Sequence, residues 1–202
     1  MEKTDSDIAI LIEENKQLKE KAATLKKTVK TLRRNFQGIV QLLTETISLD
    51  NRFLGGHMKR TAEMTKAFCE FLKLPKDIVY LNYYGALLHD IGLVGLNSDI
   101  IEKITDNLSV SDKKIFLEHP ARGYEIINSI YSLKRTASSI RSHHENYDGT
   151  GFPDKLASGE IPKEARIIHI INDYDINRFK HSLTPKEACS KMALKSGTIY
   201  DP

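Results

Sequence analysis

The chain has 202 residues, is 40% hydrophobic and carries a formal net charge of +3; this allows one packed domain plus an appendage and is too weak a charge to argue for nucleic acid or a membrane surface. Its two cysteines, Cys69 and Cys189, lie far apart in the sequence, so neither a disulfide framework nor a thiolate zinc site is implied. The first residues lack a basic stretch leading into an apolar run, and no window approaches the ~18 consecutive apolar residues of a spanning helix, so the expectation is a cytoplasmic protein without signal peptide or membrane span.

Residues 7 to about 47 contain no proline and one glycine, Gly38. Leu11, Leu18, Leu25, Leu32 and Ile39 recur at intervals of seven, and with these as d positions the a positions are Ile8, Asn15, Ala22, Val29, Phe36 and Leu43. Such a repeat leaves an apolar stripe in water unless a partner helix covers it, so residues 1–47 are predicted to form a coiled-coil helix. Asn15 at an a position favours a parallel, in-register homodimer over an intramolecular hairpin. Glu14 and Lys19, at g and the following e, fit an interchain pair worth about 0.5 kcal/mol. The lysines and arginines of this segment decorate its outer faces. In a basic-zipper protein they would precede the zipper, so DNA binding is not expected.

Residues 48–202 read as helices. Apolar spacing predicts a helix over 59–72, closed by Leu74-Pro75, and a second over 76–91, central because it is largely apolar and ended by Gly92. A third runs from Ser111-Asp112 to about Tyr131, with a kink or break expected at Glu118-His119 ahead of Pro120. A fourth covers 133–145, and a loop over 146–162 holds Gly149, Gly151 and Gly159. A fifth runs from 163 to about 177. Thr184-Pro185-Lys186-Glu187 opens a sixth, with an N-cap threonine, proline at N1 and glutamate at N3. No stretch alternates as a strand does, and the expected fold is all-α.

Five of the seven histidines fall on or beside these helices: His57, His89, His119, His143 and His144. Asp90 follows His89 directly. At the end of an apolar helix an imidazole and a carboxylate are costly to bury unless something satisfies them, and a cation does so. Adjacent residues point about 100° apart on a helix, so the carboxylate suits a bridge between two ions while the imidazole holds one. Imidazole and carboxylate without thiolate suit iron, manganese or zinc. Composition by itself leaves both a metal site and a set of structural histidines open.

The strings Gly56-His57, His89-Asp90-Ile91-Gly92, His119-Pro120 and His143-His144-Glu145-Asn146-Tyr147-Asp148-Gly149-Thr150-Gly151-Phe152-Pro153 occur in that order, followed by Glu160-Ile161-Pro162 and Ala165-Arg166-Ile167-Ile168. From about residue 51 onward the chain resembles the HD-GYP family, cyclic di-GMP phosphodiesterases within the HD metal-dependent phosphohydrolase superfamily. The resemblance implies an HD-type helical bundle around two divalent metal ions, iron first, with manganese or zinc as alternatives. It implies that His57, His89 and Asp90 hold one ion and that Asp90, His119, His143 and His144 hold the other. His89 and Asp90 would then form the catalytic centre, and a hydroxide activated between the ions would hydrolyse cyclic di-GMP. Asp148, Gly149, Gly151, Phe152 and Pro153 would border the nucleotide, and Arg178 and Lys180 would grip its phosphates. His169 and His181 match no ligand position.

Several positions depart from the family. An aspartate completes the family's first ligand set; here Asn172 aligns with it and Asp173 follows, so Asp173 is the expected ligand with Asn172 as the alternative occupant. Leu93 stands where lysine is usual, Phe152 where tyrosine is, and residues 175–183 form a shorter run. Phe53 replaces the glutamate that recruits a third ion in some members, so none is expected here. The family also continues into a further helix, which would leave part of this core open or covered by the dimer partner. Two readings follow: an active phosphodiesterase, or a degenerate member acting as a dimeric metal- and nucleotide-binding scaffold with a protein signalling partner. The loop around Gly149 and Gly151 argues against a general phosphohydrolase.

Overall fold

The computed structural model describes residues 2–97, 101 and 108–202. Among these there are seven α-helices and no strands: α1 (Glu2–Asp50), α2 (Arg52–Phe71), α3 (Lys76–Leu88), α4 (Val110–Asn128), α5 (Ala137–Ser142), α6 (Lys163–Asp175) and α7 (Pro185–Ala193). The all-α expectation holds. No helix of the described residues is long and apolar enough to cross a membrane. The chain divides into two compact units, Met1–Glu45 and Thr46–Pro202.

The first unit is the greater part of α1. Its heptad residues Ile8, Leu11, Leu18, Leu25, Leu32 and Ile39 are each between 54% and 67% exposed, so the seam meets water along its length. A lone helix gains nothing from such a stripe.

In the second unit, α3 lies centrally against α2, α5 and α6. Met58, Leu88, Ile140 and Ile168, one from each of these four helices, are fully buried, and each such side chain contributes roughly 1.5–3 kcal/mol. Helix starts follow their caps. Asn51 Oδ1 accepts from the Leu54 amide at 2.9 Å, and α2 begins at Arg52, well before the predicted residue 59, which puts His57 inside the helix. Thr184 and Glu187 form the predicted capping box ahead of α7.

Three other predicted boundaries are corrected. Helix α4 runs unbroken through Pro120, with no break at His119. The fourth predicted helix is shorter, a 3-10 turn at Lys134–Thr136 leading into α5. Helix α6 ends at Asp175 and widens into a π-helical turn, Ile176–Lys180. A cavity of about 560 Å³ opens where Leu72, Ile78 and Ile167 meet Tyr200–Pro202.

Candidate metal centre

Six side chains converge from four places in the fold. His57 comes from α2, His89 and Asp90 from the end of α3, His119 from the middle of α4, and His143 and His144 from the end of α5. The 3-10 turn Ile91–Leu93 carries Asp90 against α4. Gly92 makes that contact possible: a Cβ there would lie 2.1 Å from the His119 carbonyl oxygen.

Asp90 divides the cluster. Its Oδ2 lies 3.2 Å from His89 Nε2 and 3.6 Å from His57 Nε2. Its Oδ1 lies 3.2 Å from His119 Nε2 and 3.8 Å from His143 Nε2. Two sets of ligand atoms result, His57–His89–Asp90 and Asp90–His119–His143–His144, and within each set all atoms lie within 4.8 Å of one another.

The backbone turns the imidazoles inward. His89 Nδ1 donates to the Ala86 carbonyl at 2.7 Å, His119 Nδ1 to Phe116 at 2.6 Å and His143 Nδ1 to Ile140 at 2.6 Å. Each acceptor lies three residues back. At α3 and α5 the helix is ending, where carbonyls lack amide partners. At α4 the next residue is Pro120, which has no N–H for the Phe116 carbonyl. His57 Nδ1 donates instead to the Asp175 carboxylate at 2.6 Å.

This network assigns Nδ1–H to all four rings, and a neutral imidazole then keeps its lone pair on Nε2. Yet His57 and His89 bring their Nε2 atoms to 3.2 Å, as do His119 and His143. Lone pair faces lone pair beside a buried carboxylate, a donor set that a shared divalent cation satisfies. Charge is distributed unevenly across the cluster. Burial works against ionisation of Asp90, but His89 and His119 outweigh it and hold its carboxyl well below the usual range. Burial works against a proton on His89 as well, and adjacent Asp90 reverses the balance upward. Burial and then neighbouring imidazoles push His143 and His144 well below the usual histidine range, leaving both neutral and free to ligate.

Asn172 Nδ2 donates to Asp173 Oδ1 at 3.3 Å, and both residues line the cavity at the centre. Asn172 is buried beside His89. Asp173 lies outside both ligand sets; its Oδ2 accepts from the Tyr200 hydroxyl at 2.7 Å.

A cavity of about 170 Å³ opens onto the centre, lined among others by Phe53, Leu93, Asp90, His144, Asn172 and Lys180. Lys180 thus reaches this wall, while the Arg178 guanidinium donates to the Leu183 carbonyl. The Phe152 ring stacks on His144 at 4.7 Å, and the missing tyrosine hydroxyl does not affect that stacking. Gly151 lets the loop close, since a Cβ there would lie 2.2 Å from the Asn146 nitrogen. Asp148 folds back to accept from Thr150, Gly149 lies against Ala157, and the loop turns through a cis bond into Pro153. None of Asp148, Gly149, Gly151 and Pro153 is part of the cavity lining.

Sequence reasoning missed Asp175, Arg60 and Glu145. Buried Glu145 accepts from the Asp154 and Leu156 amides and so holds the loop, its carboxyl pushed up by burial. Asp175 had a signal: it lies three residues after Asn172 and so faces the same side of α6.

Comparison with known proteins agrees with this geometry. The chain is 27% identical over 151 residues to the cyclic di-GMP phosphodiesterase response regulator RpfG of Xanthomonas campestris, which covers 72% of this chain and 40% of that protein. It is 30% identical over 183 residues to a cyclic di-GMP phosphodiesterase of Vibrio cholerae, covering 81% of this chain and 37% of that protein. The chain therefore spans well under half the length of either relative. In structure it resembles a Bdellovibrio bacteriovorus protein described as HDG'Y'P, with a TM-score of 0.60 and 22% identity, over 71% of this chain and 47% of that one. The HD domain profile matches residues 41–202. With the histidines and Asp90 gathered as they are in a helical bundle, the chain belongs to the HD domain family.

Proposed function

We propose that this chain is a metal-dependent phosphodiesterase acting on cyclic dinucleotides, with cyclic di-GMP as the substrate. The observation that carries the reading is Asp90, whose two oxygens face two separate histidine sets. His57, His89 and Asp90 would hold one divalent ion and Asp90, His119, His143 and His144 a second; iron or manganese fits this set first and zinc also suits it. Bound there, such ions supply charge neutralisation for a phosphodiester and an acidified water.

The chain's own residues do the rest. Backbone carbonyls and Asp175 keep the Nε2 atoms of His57, His89, His119 and His143 directed inward. Phe152 stacks on His144 and shields that side of the centre. Lys180 supplies a cation on the cavity wall for a phosphate oxygen. Leu93 is buried in the same wall and offers no proton. General acids contribute typically 10²–10⁴-fold, so turnover is expected to be slow.

Leu93 and the neutral Asn172 also support a second reading, in which the site binds metal and dinucleotide as a scaffold without efficient turnover. Either way the reading has the chain act in the cytoplasm as a parallel homodimer through residues 7–47, with a protein signalling partner.

The test is anaerobic reconstitution with iron(II) or manganese(II), followed by chromatography of cyclic di-GMP and of the mixed guanine–adenine cyclic dinucleotide. The control is the His89→Ala, Asp90→Ala double variant. Turnover lost in the control supports the enzyme. Tight metal and nucleotide binding without turnover supports the scaffold. Activity that survives the double variant would sink both.

A further inference from the structure

His57 is moored differently from the other three inward-facing imidazoles. His89, His119 and His143 each give Nδ1–H to a neutral carbonyl on their own helix. His57 gives it to a carboxylate on another element, Asp175 at the end of α6, at 2.6 Å. Asp175 is 1% exposed. Its Oδ1 accepts from Arg60 Nε at 2.7 Å and its Oδ2 from Arg60 Nη2 at 2.9 Å. Arg60 sits one turn after His57 on α2 and lies over the Phe179 ring, 4.3 Å from its centroid. The carboxylate is therefore held between α2 and the π-helical turn before it meets the imidazole.

We propose that Asp175, clamped by Arg60, is the positioning residue for His57. It fixes the Nδ1–H form and thereby sets the metal affinity of the His57–His89–Asp90 set; this rests on the metal reading above. Three observations support it. A charged acceptor makes the opposite ring nitrogen a better ligand than a carbonyl does. The fourth neighbour of this set, Asn172, is neutral, so donation from His57 counts for more here than in the four-residue set. A competing partner for the ring is also present, the Thr61 hydroxyl 3.5 Å from His57 Nδ1. Without Asp175 that weaker contact allows the other tautomer, whose Nε2–H cannot ligate.

The test uses the full chain and two readouts. Nitrogen-15 NMR of the metal-free protein reports the His57 tautomer, and calorimetric titration with manganese(II) reports the two sites. The wild type is expected to show Nδ1–H and two binding events. Asp175→Asn should give a mixed or reversed tautomer and a 10–100-fold loss in one event, with the other unchanged. Arg60→Lys keeps the charge but cannot fork onto both oxygens, and should give a smaller loss in the same event with folding intact. An unchanged tautomer and two unchanged affinities in both variants would overturn the positioning role while leaving the metal reading in place. A wild type that binds no manganese would overturn the metal reading and this proposal with it.

Discussion

At Asn172 an amide replaces a carboxylate beside the His57–His89–Asp90 set, and charge decides the consequence. The Asp90 carboxylate is shared between both sets, so this one has no anion of its own. Asn172→Asp supplies one at a position already buried against His89. It is expected to raise manganese affinity at one of the two proposed sites about tenfold or more, as read by calorimetry. Asp173→Asn is expected to leave both affinities unchanged, because Tyr200 engages that carboxylate. A loss in Asp173→Asn would instead make Asp173 the ligand. At this scale the sequence is uneven. His57, His89, Asp90, His119, His143 and His144 are legible through the motif strings that carry the family resemblance, since the residues alone leave structural histidines open. Asp175 offers only its spacing from Asn172 as a signal, since it meets His57 across 118 residues of chain.

Helix ends do the mounting at the next scale. His89 and His143 each occupy the first non-helical position of α3 and α5, where the imidazole replaces an absent amide on a terminal carbonyl. His119 achieves the same inside α4, because Pro120 withholds the amide that would otherwise take the Phe116 carbonyl. The sequence suggests a break there, but the helix continues, and the freed carbonyl orients a ligand. Pro120→Ala restores the competing amide. Manganese affinity of the four-residue set is expected to fall about tenfold, the scale of losing an orienting contact, with no loss of helical circular dichroism. Unchanged affinity would show that the carbonyl contact is dispensable. Helix order and type are legible in the sequence because apolar periodicity and Gly, Pro and Thr punctuation mark them. The start of α2 is not, because Gly55-Gly56 looks like an interruption, whereas Asn51 caps the helix ahead of both. The π-helical turn after Asp175 leaves no trace in periodicity.

Two properties belong to the whole molecule, its alkaline stability and its assembly. Burial pushes the Cys69 thiol from 9.0 up to about 11, with Glu164 and Glu70 adding to it. Between those values the folded chain holds a proton that the unfolded chain releases. Stability from this group is thus intact below about pH 9 and lost as pH rises toward 11, by about 2–3 kcal/mol in total. Urea unfolding across that range should show the slope in the wild type and a shallower one in Cys69→Ala. The proposed homodimer would rest on α1, whose exposed heptad residues the same repeat on a second copy would cover. Sedimentation at micromolar concentration is expected to give twice the 22.9 kDa of one chain. The double change Leu18→Asp, Leu25→Asp should reduce it to one. The expected orientation comes from Asn15: paired a-position amides hydrogen-bond when the helices run parallel and in register. In a Cys189→Ser background, Leu11→Cys should then cross-link to itself on mild oxidation, since d residues face their own copies in that arrangement alone. A wild type sedimenting as a monomer at tens of micromolar would remove the dimer. A dimer that resists the cross-link would make the pair antiparallel and leave Asn15 without the role assigned to it.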